Sequence, residues 1–192
     1  MATIVVGGHA RNVGKTSVVE GVISAFPRYS WTAIKISSHR HRKFAGRGTD
    51  EIYEEKDRAG HSDTSRFLAA GASRSLWARI GEDNAERMLP QLIRIIKNDP
   101  FVIIESNWVL KFIHPDLYLI VLKYGVEEFK DSAKQTLEQA DAALVLNSDA
   151  PPPAWQGIVL DVLEGVPVYK AAARQNMPDG LVDFIQSRLS KP

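Results

Sequence analysis

The sequence predicts an α/β protein built on a three-layer, doubly wound and mostly parallel sheet. Short apolar segments alternate with helical patterns along the chain, and several of these segments are continuously apolar. Continuous apolar strands are typical of sheets that helices cover on both faces. A helix between successive strands implies crossover connections, which place the strands parallel and side by side. With 192 residues, of which 44% are hydrophobic, the chain can bury a substantial core.

The individual elements follow in order from these patterns. Strands are expected at Ile4–Val6, Trp31–Ile36, Ser75–Arg79, Phe101–Glu105, Leu117–Leu122, Ala142–Leu146 and Val166–Tyr169. Helices are expected at Lys15–Phe26, Ser62–Ala70, Asn84–Lys97, Ser132–Ala140 and Gly180–Leu189. Ser132 and Gln135 are expected to form a capping box at the start of the fourth helix.

A glycine-bearing loop joins the first strand to the first helix. It runs from Gly8 to Thr16, and five residues separate Gly8 from the tripeptide Gly14-Lys15-Thr16. Strand, loop, tripeptide and helix in this order describe a phosphate-binding loop. Backbone N–H groups and the positive end of the helix attract phosphates, Lys15 adds a full charge, and the Thr16 hydroxyl can ligate Mg²⁺. We therefore expect ATP or GTP with Mg²⁺, held by Gly8, Asn12, Val13, Gly14, Lys15, Thr16 and Ser17.

Two charged residues lie at the ends of other predicted strands. Glu105 closes a strand expected beside the loop strand, where it would hold the water shell of Mg²⁺ or orient the attacking water. Lys35 lies near the end of the second strand, where it either reaches a phosphate or anionic substrate or remains a solvated edge lysine. Lys15 and Glu105 are thus the predicted catalytic residues, and Lys35 joins the predicted nucleotide contacts.

Two polar segments admit two interpretations each. Asp63 and Ser65 open the second helix, either as simple caps or as residues that point into the site. In the site, Asp63 would join Thr16 and Glu105 at the metal. Asn147 follows a buried strand in a polar triplet that resembles a guanine-recognition motif without its lysine. It either contacts the base or forms a polar turn, so the choice between adenine and guanine stays open.

Residues 37–61 form a long polar insertion, which predicts a functional or mobile loop. It contains His39 and His41, either within a solvated basic loop that grips phosphates or an acidic partner, or as metal ligands. Residues 151–153 are three prolines, which predict a stiff connector before a short C-terminal β–α tail. The whole chain is therefore expected to be a single nucleotide-binding domain.

Composition limits the partners of this domain. A formal net charge of +1 gives no general attraction to nucleic acid or to an anionic membrane surface. The absence of cysteine excludes disulfides and thiolate metal sites. The sequence has no charged leader and no apolar run of membrane-spanning length, so we expect a cytoplasmic protein without nucleic-acid or membrane partners.

Three of these features together resemble the molybdopterin-guanine dinucleotide biosynthesis adapter family, P-loop NTPases of the division that includes dethiobiotin synthetase. They are the N-terminal phosphate loop, Ile34-Lys35 followed by Ser38-His39-Arg40-His41, and residues 57–66 with Ala70-Gly71-Ala72. The resemblance implies a GTP-binding, weakly hydrolysing and often dimeric protein that assists molybdenum-cofactor maturation with a client protein of that pathway.

Carried over by position, the resemblance implies that Gly14, Lys15 and Thr16 bind phosphates and Mg²⁺. It also implies that Lys35 and Asp63 border the site.

Two other functions remain open from the sequence. A ligase or kinase of dethiobiotin synthetase type shares the loop spacing, and in it Lys15 and Lys35 would stabilise charge on a transferring phosphoryl group and on a carboxylated substrate. A nucleotide-gated binding module would use residues 37–61 as its switch. A ligase makes a phosphorylated or ring-closed product, whereas an adapter turns over slowly.

Overall fold

A computed structural model describes residues 1–39, 50–155, 158, 163–172 and 177–190. In this part of the chain, eight strands form one sheet in the order β3-β4-β2-β5-β1-β6-β7-β8. The strands are β1 (Ala2–Gly8), β2 (Trp31–His39), β3 (Glu51–Glu54), β4 (Arg74–Gly81), β5 (Phe101–Glu105), β6 (Leu117–Lys123), β7 (Ala142–Leu146) and β8 (Val168–Ala171). Every neighbouring pair is parallel except β3 and β4, which are antiparallel.

Helices cover both faces of this sheet. They are α1 (Lys15–Ala25), α2 (Asp63–Ala69), α3 (Ala85–Ile96), α4 (Asp131–Lys134) and α5 (Asp179–Leu189), with short 3₁₀ turns at Glu82–Asn84, Trp108–Lys111 and Leu137–Gln139. Among the residues described, no helix is long and apolar enough to cross a bilayer.

Two apolar clusters, one on each face, hold the three layers together. Residues at alternate positions of β1 separate into them, because successive side chains of a strand point to opposite faces. Val5 lies in the cluster that α3 covers, while Ile4 and Val6 lie in the cluster that α1 and α5 cover. All three are fully buried. Burial on both faces explains why the central strands read as continuous apolar runs.

The fourth predicted helix, Ser132–Ala140, is wrong in its length and in its cap. Helix α4 ends at Lys134, its N-cap is Lys130, and no side chain caps it, so the expected Ser132–Gln135 capping box does not form. The hydroxyl of buried Thr136 donates to the Ser132 carbonyl at 3.1 Å. Bonds of this kind compete with the helical backbone pattern and bend or end helices.

The segment 37–61, predicted as a long polar loop, contains two pieces of strand. Strand β2 continues to His39, and β3 pairs antiparallel with β4, with Glu51 opposite Arg79 and Tyr53 opposite Trp77. Exposed and half-buried side chains alternate along β3, as they do on an edge strand with one covered face. The His39 side chain and His41 lie outside the described residues, so the interpretation of these histidines stays a prediction.

Ser75 provides a test of packing in this sheet. Its side-chain oxygen is fully buried and has no hydrogen-bond partner in the described structure. Because an unpaired buried hydroxyl is costly, we expect Ser75→Ala to raise the free energy of unfolding by about 1 kcal/mol in urea denaturation. Thr32→Val is the matched control, since the Thr32 hydroxyl donates to Asp99 at 2.9 Å and its removal should lower stability. A less stable Ser75→Ala protein would contradict the expectation.

Candidate functional site

The loop between β1 and α1 has the backbone that a phosphate site needs. Gly14 caps α1 in the left-handed region at φ 101°, and Asn12 also has a positive φ of 55°. A side chain on Gly8 would lie 2.8 Å from Val13 and 2.9 Å from Lys15, so only glycine fits there without movement. The loop therefore folds closely around itself at the carboxyl end of the sheet, where ligands of such folds bind.

The loop leaves hydrogen-bond donors free. In the described structure, no protein acceptor takes the backbone N–H groups of residues 12–16. The Lys15 ammonium donates to the Ala10 carbonyl at 3.2 Å, which folds its side chain back over the loop. Burial lowers the pKa of Lys15, against the opposing effect of Glu105. A partly buried cation beside a row of unpaired amides is an arrangement that suits an anion.

Asn107 holds the start of this loop. Its amide oxygen accepts from Gly8 N–H at 2.7 Å, and its amide nitrogen donates to the Gly8 carbonyl at 2.8 Å. A side chain on Gly7 would lie 2.4 Å from the same oxygen, so the glycine pair lets Asn107 approach. The bracing role of Asn107 depends on β5 lying beside β1, which no local sequence pattern indicates.

A cluster of four side chains lies next to Lys15 and comes from the end of β5, the middle of β2 and the first turns of α1 and α2. The Thr16 hydroxyl donates to one Glu105 oxygen at 2.8 Å. The Lys35 ammonium bonds to the other Glu105 oxygen and lies 2.8 Å from an Asp63 oxygen. The structure therefore brings together Lys15, Thr16, Lys35, Asp63 and Glu105, which the sequence placed in one site.

Charge balance in this cluster follows from its contacts. Although burial opposes it, the Glu105 charge and the Asp63 and Glu105 hydrogen bonds raise the pKa of Lys35. For Asp63, burial acts to raise the pKa, but the hydrogen bond and charge of Lys35 outweigh it and the pKa is lowered. Lys35 is thus positive and Asp63 negative at neutral pH.

Asp63 is free for this role because Ser62 caps α2 in its place. The Ser62 hydroxyl accepts from Ser65 N–H at 3.0 Å. Ser62 is therefore the N-cap of α2, and this bond does not assign a function to Asp63. Arg66, one turn further on, makes a double hydrogen bond to Glu20 at 2.8 and 2.6 Å. It also donates to the Ser17 hydroxyl at 3.2 Å. This pair joins α2 to α1 and was not predicted from the sequence.

Two cavities meet at the loop. A polar cleft of about 1010 Å³ is lined by Gly8, by residues 10–12 and 14–17, by the Lys35 cluster and by Trp108, Lys111 and Gln135. A more apolar cavity of about 790 Å³ lies on the other side of α1, lined by Val18, Leu144, Leu146, Met177, Pro178 and Val182. Gly14 and Ser17 line both, so a ligand with a charged and an apolar end can span them.

Asn147 lines the apolar cavity and not the polar cleft. It has a positive φ of 56°, and its amide nitrogen donates to the Tyr124 carbonyl at 3.2 Å. The polar turn and the base contact, which the sequence left as alternatives, are therefore compatible, because the turn places the side chain on the cavity wall.

The donor set of the cleft fits a hard cation. Hydroxyl and carboxylate oxygens of Thr16, Glu105 and Asp63 are the ligand types that Mg²⁺ prefers, and Mg²⁺ sites use few protein ligands besides phosphate and water. Within the described ranges, no group of three or more His, Cys, Asp or Glu side chains could hold a metal by itself.

Comparisons with solved structures show similar folds at low sequence identity. HypB from Helicobacter pylori, solved in complex with nickel, aligns with 98% of this chain and 87% of its own at 14% identity, with a TM-score of 0.55. LpxK from Aquifex aeolicus, solved in complex with ATP, aligns with 88% of this chain at 16% identity and a TM-score of 0.53, and the chain spans 53% of the length of LpxK. MobB from Bacillus subtilis aligns over 100% of both chains at 17% identity, with a TM-score of 0.44.

Comparison of the sequence with family models and with curated proteins finds no match. The predicted fold class, a doubly wound and mostly parallel α/β sheet, is confirmed by the strand order and by the similar folds. At these sequence identities the likeness is one of fold alone, and the place among the P-loop NTPases stays a prediction.

Proposed function

We propose that this protein binds a purine nucleoside triphosphate with Mg²⁺ and hydrolyses it slowly. The observation that carries the proposal is the Thr16–Glu105–Lys35–Asp63 cluster beside free loop amides and Lys15. Ordinary turns between a strand and a helix do not need a buried carboxylate at the first helical turn. A carboxylate and a hydroxyl beside an anion site are what nucleotide hydrolysis requires.

Each residue of the cleft would have its own role in phosphate binding, metal binding or hydrolysis. Lys15 and the amides of residues 12–16 would grip the β- and γ-phosphates, and Thr16 would ligate Mg²⁺, with Glu105 and Asp63 around its water shell. The metal would neutralise phosphate charge. Glu105 would also orient the attacking water. Once the metal balances the charges of Glu105 and Asp63, Lys35 could turn from these carboxylates to the γ-phosphate.

The purine base would occupy the apolar cavity next to Gly14. The side-chain oxygen of Asn147 has no described hydrogen-bond partner, because only its amide nitrogen is engaged. It could accept a hydrogen bond from the base. An acceptor on one residue is compatible with the amino groups of either adenine or guanine, so we propose ATP or GTP.

For the cellular role, we propose an adapter in molybdenum-cofactor biosynthesis that acts on a protein client, as a homodimer. The support is the sequence resemblance of the loop, of the Lys35 region and of residues 57–66. In the structure, Asp57 accepts from Ala59 N–H at 2.8 Å, and a side chain on Gly60 would lie 2.6 Å from Ser65. This segment is therefore a tightly built support for α2 and Asp63. We propose a cytoplasmic location.

A second candidate is phosphoryl transfer to a small anionic acceptor, as in a ligase or kinase. Arg11, Lys111 and Lys130 line the same cleft. Among the described residues, none of these three cations has a carboxylate partner within 4.0 Å. Cations without partners are available to an anionic acceptor beside the nucleotide.

Calorimetric titration with ATP and GTP, each with and without Mg²⁺, tests the proposal. We expect saturable binding of one nucleotide per chain that is tighter with Mg²⁺. A preference for GTP would support the adapter role, and a preference for ATP would favour the ligase or kinase. Product analysis separates them, since a transferase makes a phosphorylated or ring-closed small molecule. Failure of both nucleotides to bind would overturn the proposal.

A further inference from the structure

His9, the second residue of the phosphate loop, is fully buried and fully hydrogen-bonded. One ring nitrogen, Nε2, accepts from Lys123 N–H at 3.1 Å. The other, Nδ1, lies 2.8 Å from the Glu128 carbonyl. Its own backbone N–H donates to the Val121 carbonyl at 3.2 Å, and its carbonyl accepts from Lys130 N–H at 2.8 Å. Few loop residues are held by four bonds.

These partners determine the protonation state of the ring. Because the backbone N–H of Lys123 can only donate, Nε2 must be unprotonated, and the ring proton lies on Nδ1 and faces the Glu128 carbonyl. Aromatic rings surround the imidazole, with Phe129 at 5.3 Å and Trp155 at 5.0 Å between ring centroids.

The bonds of His9 connect the loop to two other segments. Residues 121–123 end β6, and residues 128–130 lead into α4, so the bonds of His9 join both segments to the loop one residue before Ala10. The carbonyl of Ala10 accepts from the Lys15 ammonium. A displacement of His9 therefore moves the acceptor that orients Lys15, although His9 itself is buried beneath the cleft and does not line it.

We propose that His9 is the positioning residue of the phosphate loop, and that it acts only as the neutral imidazole. Protonation of Nε2 would put two N–H donors against each other at Lys123, without a nearby acceptor. The loop would then have to move away from the end of β6. The expected effect on nucleotide affinity depends on the proposed function, whereas the expected protonation state of the His9 ring does not.

The direction of the pH effect follows from the surroundings. Burial lowers the pKa of His9 from its ordinary 6.5, against the raising effect of its two backbone hydrogen bonds. The charged groups that face the ring are Lys15, which lowers the pKa further, and Glu128, which raises it. Lys123 and Lys130 contact His9 through their backbones. Nucleotide affinity should therefore be level above pH 6.5 and fall below the lowered pKa, about tenfold per pH unit.

The test compares His9→Gln and His9→Phe with the natural protein and with His114→Gln. Glutamine can accept from Lys123 N–H and cannot be protonated, whereas phenylalanine fits the aromatic surroundings but makes neither bond. His114 is exposed, so its replacement controls for loss of any histidine. The affinity for Mg²⁺ nucleotide is measured between pH 5 and 8, and the titration of the nucleotide itself cancels between proteins.

We expect the acid-side loss of affinity in the natural protein and in His114→Gln, and its absence in His9→Gln. His9→Phe should bind about tenfold more weakly at every pH, because it leaves two backbone groups unpaired. An acid-side loss that persists in His9→Gln, or unchanged affinity of His9→Phe, would overturn the inference. If His9→Phe does not fold, His9→Gln still decides.

Nuclear magnetic resonance of the histidine rings gives a second readout that needs no nucleotide. We expect the His9 ring to be neutral at pH 7 with its proton on Nδ1, and to titrate below pH 6.5. A protonated ring, or a proton on Nε2, would overturn the inference. Failure of the natural protein to bind either nucleotide would instead refute the proposed function and leave the ring measurement to decide on His9.

Discussion

Replacing Lys15 by alanine should weaken nucleotide binding by about a hundredfold or more. Lys15 offers charged hydrogen bonds to phosphate oxygens, and the loss of such bonds costs up to about 3 kcal/mol. The affinities of ATP and GTP with Mg²⁺ are measured by calorimetry. Lys111→Ala is the matched control, because Lys111 lines the same cleft at a distance in sequence from the loop. Its replacement should leave nucleotide affinity within a few-fold.

The same substitution should leave the nucleotide-free protein as stable as before, or more stable. In the described structure Lys15 makes one hydrogen bond, to Ala10, and no carboxylate lies within 4.0 Å of its ammonium group. Burial of this charge is a cost that only a bound anion compensates. Thermal unfolding without nucleotide measures this. A Lys15→Ala protein that binds nucleotide normally would refute the central claim, and a large loss of stability would show that Lys15 has a structural role instead.

Local patterns made the loop between β1 and α1 and the central strands predictable. Gly8, Gly14, Lys15 and Thr16 are close in sequence, and their pattern predicts a turn between a strand and a helix. The central strands are continuously apolar because helices cover both of their faces. Each of these signals needs no knowledge of distant residues, which explains why the strands from β4 to β7 lie within a few residues of their predicted ends.

Contacts between distant segments were beyond the sequence. Lys35 meets Glu105 because β2 and β5 are parallel neighbours in a register that pairs these two residues. No local pattern specifies a register. The ring bonds of His9 span 119 and 114 residues, so an isolated histidine in a loop gave no sign of them. The apolar surroundings of His9 come from Phe129 and Trp155, which are distant in sequence. The residues next to His9 in the sequence do not indicate them.

Short polar signals were misleading at the fourth helix and at β3. Ser132 and Gln135 have the spacing of a capping box, yet the helix begins earlier, with Lys130 as its N-cap, so Ser132 lies inside α4. Strand β3 was hidden as well. Its four residues carry two glutamates, and it is the antiparallel pairing with β4 that makes them a strand.

The Lys35 ammonium has a position that helps to explain how the site works without nucleotide. It lies between Asp63 and Glu105, and Coulomb repulsion between two neighbouring carboxylates needs such a cation. Mg²⁺ brought in with the phosphates would supply more charge to the same oxygens. Under the proposed function, Lys35 would then be free to bind the γ-phosphate. The same lysine would pair with the carboxylates in the empty site and with the phosphate in the loaded site.

Replacing Glu105 by glutamine should lower Mg²⁺-dependent turnover by about a hundredfold, the range for loss of a positioned acid–base group. Nucleotide affinity without Mg²⁺ should change much less, because Glu105 touches Thr16 and Lys35 and lies beside the loop amides without joining them. Glutamine keeps the shape of the side chain but cannot carry the charge that holds the water shell of the metal. Initial rates of phosphate release across a range of Mg²⁺ concentrations provide the measurement.

Asp99→Asn is the matched control for this experiment. Asp99 also accepts from a threonine hydroxyl and a cation, Thr32 at 2.9 Å and Arg74 at 2.7 Å, but it precedes β5 at the opposite end of the sheet. If loss of an ion-paired carboxylate acted through stability alone, both variants would lose turnover in proportion to their loss of unfolding free energy. If Glu105 acts at the metal, Asp99→Asn should lose stability and keep turnover, while Glu105→Gln loses turnover even when saturated with nucleotide. Equal turnover in Glu105→Gln and the natural protein would remove Glu105 from the mechanism and leave it as a structural partner of Lys35.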